Sequence, residues 1–119
     1  MSESNPNAMT LEALIHRRCK ACEGDVPPLS DDAVRMLLAL VEGWALEANE
    51  LVRVFSFKNY YQTTSFVNAV VWIAHREDHH PEIQFGYKTC TVRYSTHSVG
   101  GLTENDFICA AKVNGLLTE

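Results

Sequence analysis

Apolar positions along the chain follow a helical period in some stretches and alternate in others, and the change of period marks the elements. A polar opening, Met1–Thr10, reads as a loose tail. A short helical candidate follows from Leu11 to Cys19, and Gly24 with Pro27-Pro28 then breaks regular structure. Ser30 is a good N-cap, and Asp31 and Asp32 suit a helix dipole. Val34, Leu37, Leu38 and Val41 form a stripe at i, i+3, i+4, i+7 that Gly43 stops. Two strands are expected at Trp44–Ala48 and Leu51–Phe57, joined around Asn49-Glu50, because alternation suits a pleated surface better than a helix.

Asn59 can cap a second long helix ending near Glu77, with Gln62 reaching back in a loose capping box. Phe66, Val67, Val70, Ile73 and Ala74 make its inward stripe, and His75 falls on the polar side. The residue before a proline avoids the α region, so this helix ends by Pro81, and His79 and His80 sit at a helix-to-strand corner. Strands are expected at Glu82–Tyr87 and Thr89–His97, followed by a flexible Gly100-Gly101 turn. A last helix starts at Thr103, with Asp106 completing a capping pattern and Phe107, Ala110 and Ala111 facing inward. Asn114-Gly115 ends it. The order is αββαββα: an α+β single domain with a four-stranded antiparallel sheet and helices packed on one face. Residues 1–28 form a tail and short extension, and residues 29–119 the domain.

Composition narrows the class without changing that picture. At 119 residues, with 46% hydrophobic and 21% charged positions, the chain is an ordinary soluble domain. No apolar run approaches a membrane span of roughly 20 residues, and the opening lacks the pattern of a secretory signal, so a cytoplasmic location is expected. Ten basic against fifteen acidic residues give a net charge of −5, which argues against nucleic-acid binding by phosphate neutralisation. Cys19-Lys20-Ala21-Cys22 has half the ligands of a zinc site, and reduced thiols are the plainer reading. Cys90 and Cys109 read as core residues.

The chemistry concentrates in Asp78-His79-His80-Pro81-Glu82 and in Ser95-Thr96-His97. A metal could in principle use His75, His79 and His80, yet no acidic residue stands in a metalloprotease arrangement, and His75 faces away. A nucleophilic serine would need a base beside it, but neighbours on a strand point to opposite faces. Three structural histidines are the bland alternative. Acid–base catalysis remains: imidazoles near neutrality can donate at one site and accept at another, each contributing roughly 10²–10⁴-fold.

Asp78-His79-His80-Pro81-Glu82, Tyr87, Ser95-Thr96-His97, Gly101-Leu102 and Asp106 together resemble the signature of the pterin-4a-carbinolamine dehydratases, over about residues 30–115. The αββαββα fold of that family agrees with the order read from periodicity. The resemblance implies a lyase that dehydrates 4a-hydroxytetrahydropterin to quinonoid dihydropterin, in tetrahydropterin recycling. It implies His79, His80 and His97 as catalytic residues. Asp78, Pro81, Glu82, Ser95, Thr96 and Asp106 become substrate-site residues, with Asp106 either capping the last helix, orienting an imidazole, or both. It implies no metal and no cofactor, the pterin being the substrate. It also implies a homodimer or homotetramer, with an aromatic amino acid hydroxylase as pathway partner. The rival from another class is a non-catalytic binding or dimerisation protein for a regulator or assembly partner. Ile83 and Gln84 stand where some members carry bulky aromatics.

Overall fold

The computed structural model describes residues 9–21 and 27–117; Cys22, Gly24 and the tail as far as residue 8 lie outside the described residues. The first helix, α1 (Leu11–His16), is capped by the Thr10 hydroxyl. It stops three residues before Cys19, because Arg17 turns extended at ψ 158° and begins a strap. Leu14 is fully buried and belongs to the core. Helix α2 (Asp31–Leu38) starts where Ser30 Oγ accepts the Ala33 N–H, and it buries Val34 and Leu37.

The sheet comprises β1 (Ala45–Glu47), β2 (Glu50–Ser56), β3 (Glu82–Phe85) and β4 (Thr89–Tyr94), in spatial order β1-β2-β4-β3, with every pairing antiparallel. The first hairpin turns on Ala48-Asn49, one residue earlier than the composition suggested. Both residues have positive φ, which two-residue hairpin loops need to match strand twist. Helix α3 (Tyr60–Glu77) is capped by Asn59, whose side chain accepts the Gln62 N–H, while Gln62 Oε1 accepts the N–H of Lys58.

Leu51, Phe55, Cys90, Val92 and Tyr94 line the sheet face against which α3 and α4 (Glu104–Gly115) pack. Phe66, Val70 and Ala74 are the buried residues of the α3 stripe, with Val67 and Ile73 at its margin. Helix α4 is buried on nearly every side, from Asn105 to Ala111 and again at Val113. That is more than the three-residue stripe legible in its sequence, because α1, α3 and the sheet all contact it. Beyond β4 the chain does not continue as a strand. Thr96 makes a single bridge to Gly101, and His97–Val99 forms one 3-10 turn closed by Gly100 at φ 72°.

Candidate active site

Helix α3 ends at Asp78, whose left-handed backbone (φ 53°, ψ 42°) caps it with an N–H bond to Ala74 O. The reversal is made there, three residues before Pro81. Asx residues tolerate this conformation better than most. It sends the chain back over α4, and the His79 N–H also reaches Ala74 O.

His79 is thereby held on three sides. Its Nε2 lies 2.6 Å from Asp106 Oδ1, its ring stacks on Tyr94 at 5.9 Å between centroids and 6° between planes, and its side chain is only 12% exposed. Asp106 is fully buried. Its Oδ2 accepts the Thr103 N–H at 2.9 Å and the Thr96 hydroxyl at 2.8 Å, and the reciprocal capping box with Thr103 is complete. Both roles expected of this residue are geometrically present. With Asp106 accepting at this bond, Nε2 is the donor and Nδ1 is the ring nitrogen left for a ligand.

His80 behaves differently. Its side chain is 73% exposed, with Nε2 3.9 Å from the carboxylate of Asp78. His97 opens the 3-10 turn after Thr96 and is exposed, on a turn and not on a strand as expected. The three histidines, Asp78, Ser95 and Thr96 border one cleft of about 390 Å³. Ser95 Oγ leans towards Glu50 at 3.4 Å. Pro81 is half-buried and Glu82 is exposed on the edge strand β3, opposite Arg93, and neither borders that cleft. Asp106 lies behind the wall, reaching the cleft through His79. Among the described residues, no three His, Cys, Asp or Glu side chains converge as a metal site.

The cleft also has a wall that the signature does not contain. Lys20 and Ala21, from the strap after α1, border it together with Asn105. Nothing in the sequence joins positions 20 and 105; only the adjacency of Asn105 to Asp106 hints at its place. The groups behind the site are poor proton donors. Burial holds the Tyr94 phenol well above its ordinary value. Its hydrogen bond with Cys19, together with burial, raises the Cys109 thiol likewise. Burial would also raise Glu77, but hydrogen bonds from Lys112 and the Cys19 N–H and the charges of Lys112 and Arg18 outweigh it, leaving that carboxyl below its ordinary value.

Similarity to known proteins agrees with this geometry. The family model described as pterin 4 alpha carbinolamine dehydratase matches residues 27–116. A protein of Nitrosomonas eutropha, provisionally named pterin-4-alpha-carbinolamine dehydratase, is 59% identical over 105 residues, which are 87% of this chain and 93% of that protein. One from Nitrosospira multiformis with the same provisional name is 54% identical over 90% of this chain and 95% of its own length. Among solved structures, a transcriptional coactivator/pterin dehydratase from Brucella melitensis superposes with a TM-score of 0.74 at 29% identity, over 76% of this chain and 99% of that one. A pterin dehydratase-like protein identified as a RuBisCO assembly factor in the alpha-carboxysome superposes with a TM-score of 0.53 at 26% identity, over 61% of this chain and 84% of that one.

Proposed function

The chain belongs to the pterin 4 alpha carbinolamine dehydratase family, and on that premise we propose that it dehydrates 4a-hydroxytetrahydropterin by histidine acid–base catalysis. The observation that carries the reading is the imidazole of His79, fixed by Asp106 at 2.6 Å, on a cleft it shares with His80 and His97. In the reaction the C4a–O bond breaks as an imidazolium protonates the departing hydroxyl, N5 loses its proton to a second imidazole, and the N5=C4a bond forms. Water and the quinonoid dihydropterin leave. The step asks for one acid, one base and a site that orders the bicyclic ring.

The asymmetry among the histidines supports a division of labour. His79 is positioned by a buried carboxylate, which favours a fixed geometry and steadies a positive imidazolium. His80 and His97 are exposed to solvent. As part of the same reading, the protein acts in the cytoplasm on a substrate supplied by an aromatic amino acid hydroxylase, without a metal, as a homodimer or homotetramer. Its edge strands β1 and β3 are available for pairing between copies.

The test follows quinonoid dihydropterin formation from the 4a-carbinolamine where the spontaneous reaction is slow. Wild type is expected to accelerate it, and His79→Ala, His80→Ala and His97→Ala to lower kcat by roughly 10²–10⁴-fold for the acid or base. A folded wild type with no acceleration overturns the dehydratase reading and leaves the binding-partner role that the names of the two solved structures suggest.

A further inference from the structure

The strap that borders the cleft is docked by more contacts than a connecting segment needs. Arg17 forks onto both oxygens of Glu104 at 2.8 Å. Arg18 donates to Arg76 O at 2.9 Å and pairs with Glu77 at 3.2 Å, and the Cys19 N–H donates to Glu77 Oε1 at 2.8 Å. Cys19 Sγ rests 3.6 Å from Cys109 Sγ. The next residue is held most specifically. Asn105, itself buried, accepts the Lys20 N–H at 3.0 Å on Oδ1 and donates from Nδ2 to Lys20 O at 2.5 Å. A buried amide thus spends an acceptor and a donor on the backbone of one residue, where leaving them unmet would cost about 1–3 kcal/mol each. The backbone of Lys20 is thus fixed, and Lys20 borders the cleft that His79, His80 and His97 share.

We infer that Lys20 is a substrate-binding residue that selects for oxygen-bearing substituents on the pterin ring, and that Asn105 is the positioning residue that delivers it. The inference rests on the dehydratase reading for the identity of the ring. The chemistry of Lys20 supplies the rest. An ammonium offers three donors and accepts nothing, so it rewards hydroxyl or anionic oxygen and gains little from a methyl group. A hydrogen bond to a charged group at a half-open site is worth roughly ten-fold in binding. Lys20 acts on the substituent, whereas the histidines act on the C4a–N5 bond, so the two should separate kinetically.

The experiment compares two 4a-carbinolamines, one with a polyhydroxylated side chain at C6 and one with a methyl group there, on wild type, Lys20→Met and Asn105→Ala. Lys20→Met is expected to raise KM for the hydroxylated substrate by about ten-fold with little change in kcat, and to leave the methyl substrate within about two-fold. Asn105→Ala is expected to move the same ratio in the same direction. A ratio unchanged in Lys20→Met overturns the inference, and thermal unfolding of this exposed substitution checks that the fold is kept. The corresponding 7,8-dihydropterins, titrated by fluorescence, separate it from the reading beneath. A wild type that is inactive yet loses affinity for the hydroxylated ligand alone on Lys20→Met refutes catalysis and keeps the binding role.

Discussion

The carboxylate of Asp106 meets the imidazole of His79 at 2.6 Å with one oxygen, while its other oxygen closes the first turn of α4 through Thr103 N–H at 2.9 Å. A single buried side chain therefore starts a helix and aims a ring, and the orientation of the site inherits the rigidity of the core helix. The Thr96 hydroxyl, within 2.8 Å of Asp106 and 2.9 Å of Thr103 Oγ1, ties the turn that carries His97 into the same network.

Substituting Asp106 should separate these duties. Asp106→Ala leaves the Thr103 N–H, the Thr96 hydroxyl and the His79 Nε2 without their buried acceptor, and is expected to cost about 2–4 kcal/mol of stability. Asp106→Asn keeps an acceptor for the cap but presents His79 with a neutral group. It is expected to lose under 2 kcal/mol, roughly, while kcat falls by about 10–100-fold, less than removal of the acid or base itself. Denaturant titration with steady-state kinetics checks both; an Asn variant with wild-type kcat would show that Asp106 only caps.

Tyr94 makes the opposite case. Its ring stacks on His79 and lies 5.8 Å from Trp44, but its buried hydroxyl has no hydrogen-bond partner of ordinary geometry among the described residues. Burial holds the phenol far above its usual value, so it neither donates nor accepts a proton near neutrality. Tyr94→Phe keeps the ring and removes an unmet polar atom. Stability is expected to stay level or rise by up to about 1 kcal/mol, with kcat unchanged. A large loss of activity in this variant would give the hydroxyl a role that its surroundings do not.

Local signals carried well from sequence to structure. Ser30, Asn59 and Thr103 cap the helices they were expected to cap, and the Phe66, Val70, Ala74 stripe faces the sheet. What failed to carry is long-range. His97 reads as a strand residue because alternation runs through it, yet the Thr96–Gly101 bridge and the left-handed Gly100 fold it into a turn. Pro81 looks like the helix terminator, but Asp78 acts first, and a left-handed aspartate leaves no periodic trace. The Lys20–Asn105 clamp spans 85 positions, and no window along the chain contains both ends.

A side chain added at Gly43 has to move Arg53 aside. The φ of Gly43 is +86°, and an added Cβ would fall 2.6 Å from Cζ of Arg53. That guanidinium donates to Glu42 O at 2.8 Å and to Asn114 Oδ1 at 2.7 Å, and it lies 4.6 Å above the Phe55 ring. Trp44 Nε1 donates to the same Asn114 oxygen. Gly43→Ala adds about 1–2 kcal/mol of left-handed strain and displaces Arg53 from these partners, so a total near 2–3 kcal/mol is expected. Chemical unfolding followed by Trp emission reads it, and an unchanged midpoint would mean that Arg53 moves aside freely.

Glu77 sets the acid limit of the strap. Its side chain is 4% exposed, and it pairs with Lys112 at 2.8 Å and Arg18 at 3.2 Å. Its folded-state value lies below the ordinary 4.5, so the unfolded chain binds the proton more readily than the native one. The stabilisation is then complete above about pH 4.5 and is lost as pH falls through the lowered value. Unfolding curves from about pH 7 down to about pH 3 should show stability falling with acid across that window. Glu77→Gln should flatten this part of the profile while lowering stability at neutral pH, since Lys112 and Arg18 lose their buried counter-charge. The strap should loosen with it, and hydrogen exchange at Cys19 and Lys20, whose N–H groups bond Glu77 and Asn105, reports the loosening directly. If the variant keeps the wild-type acid slope, the titration belongs to another carboxylate.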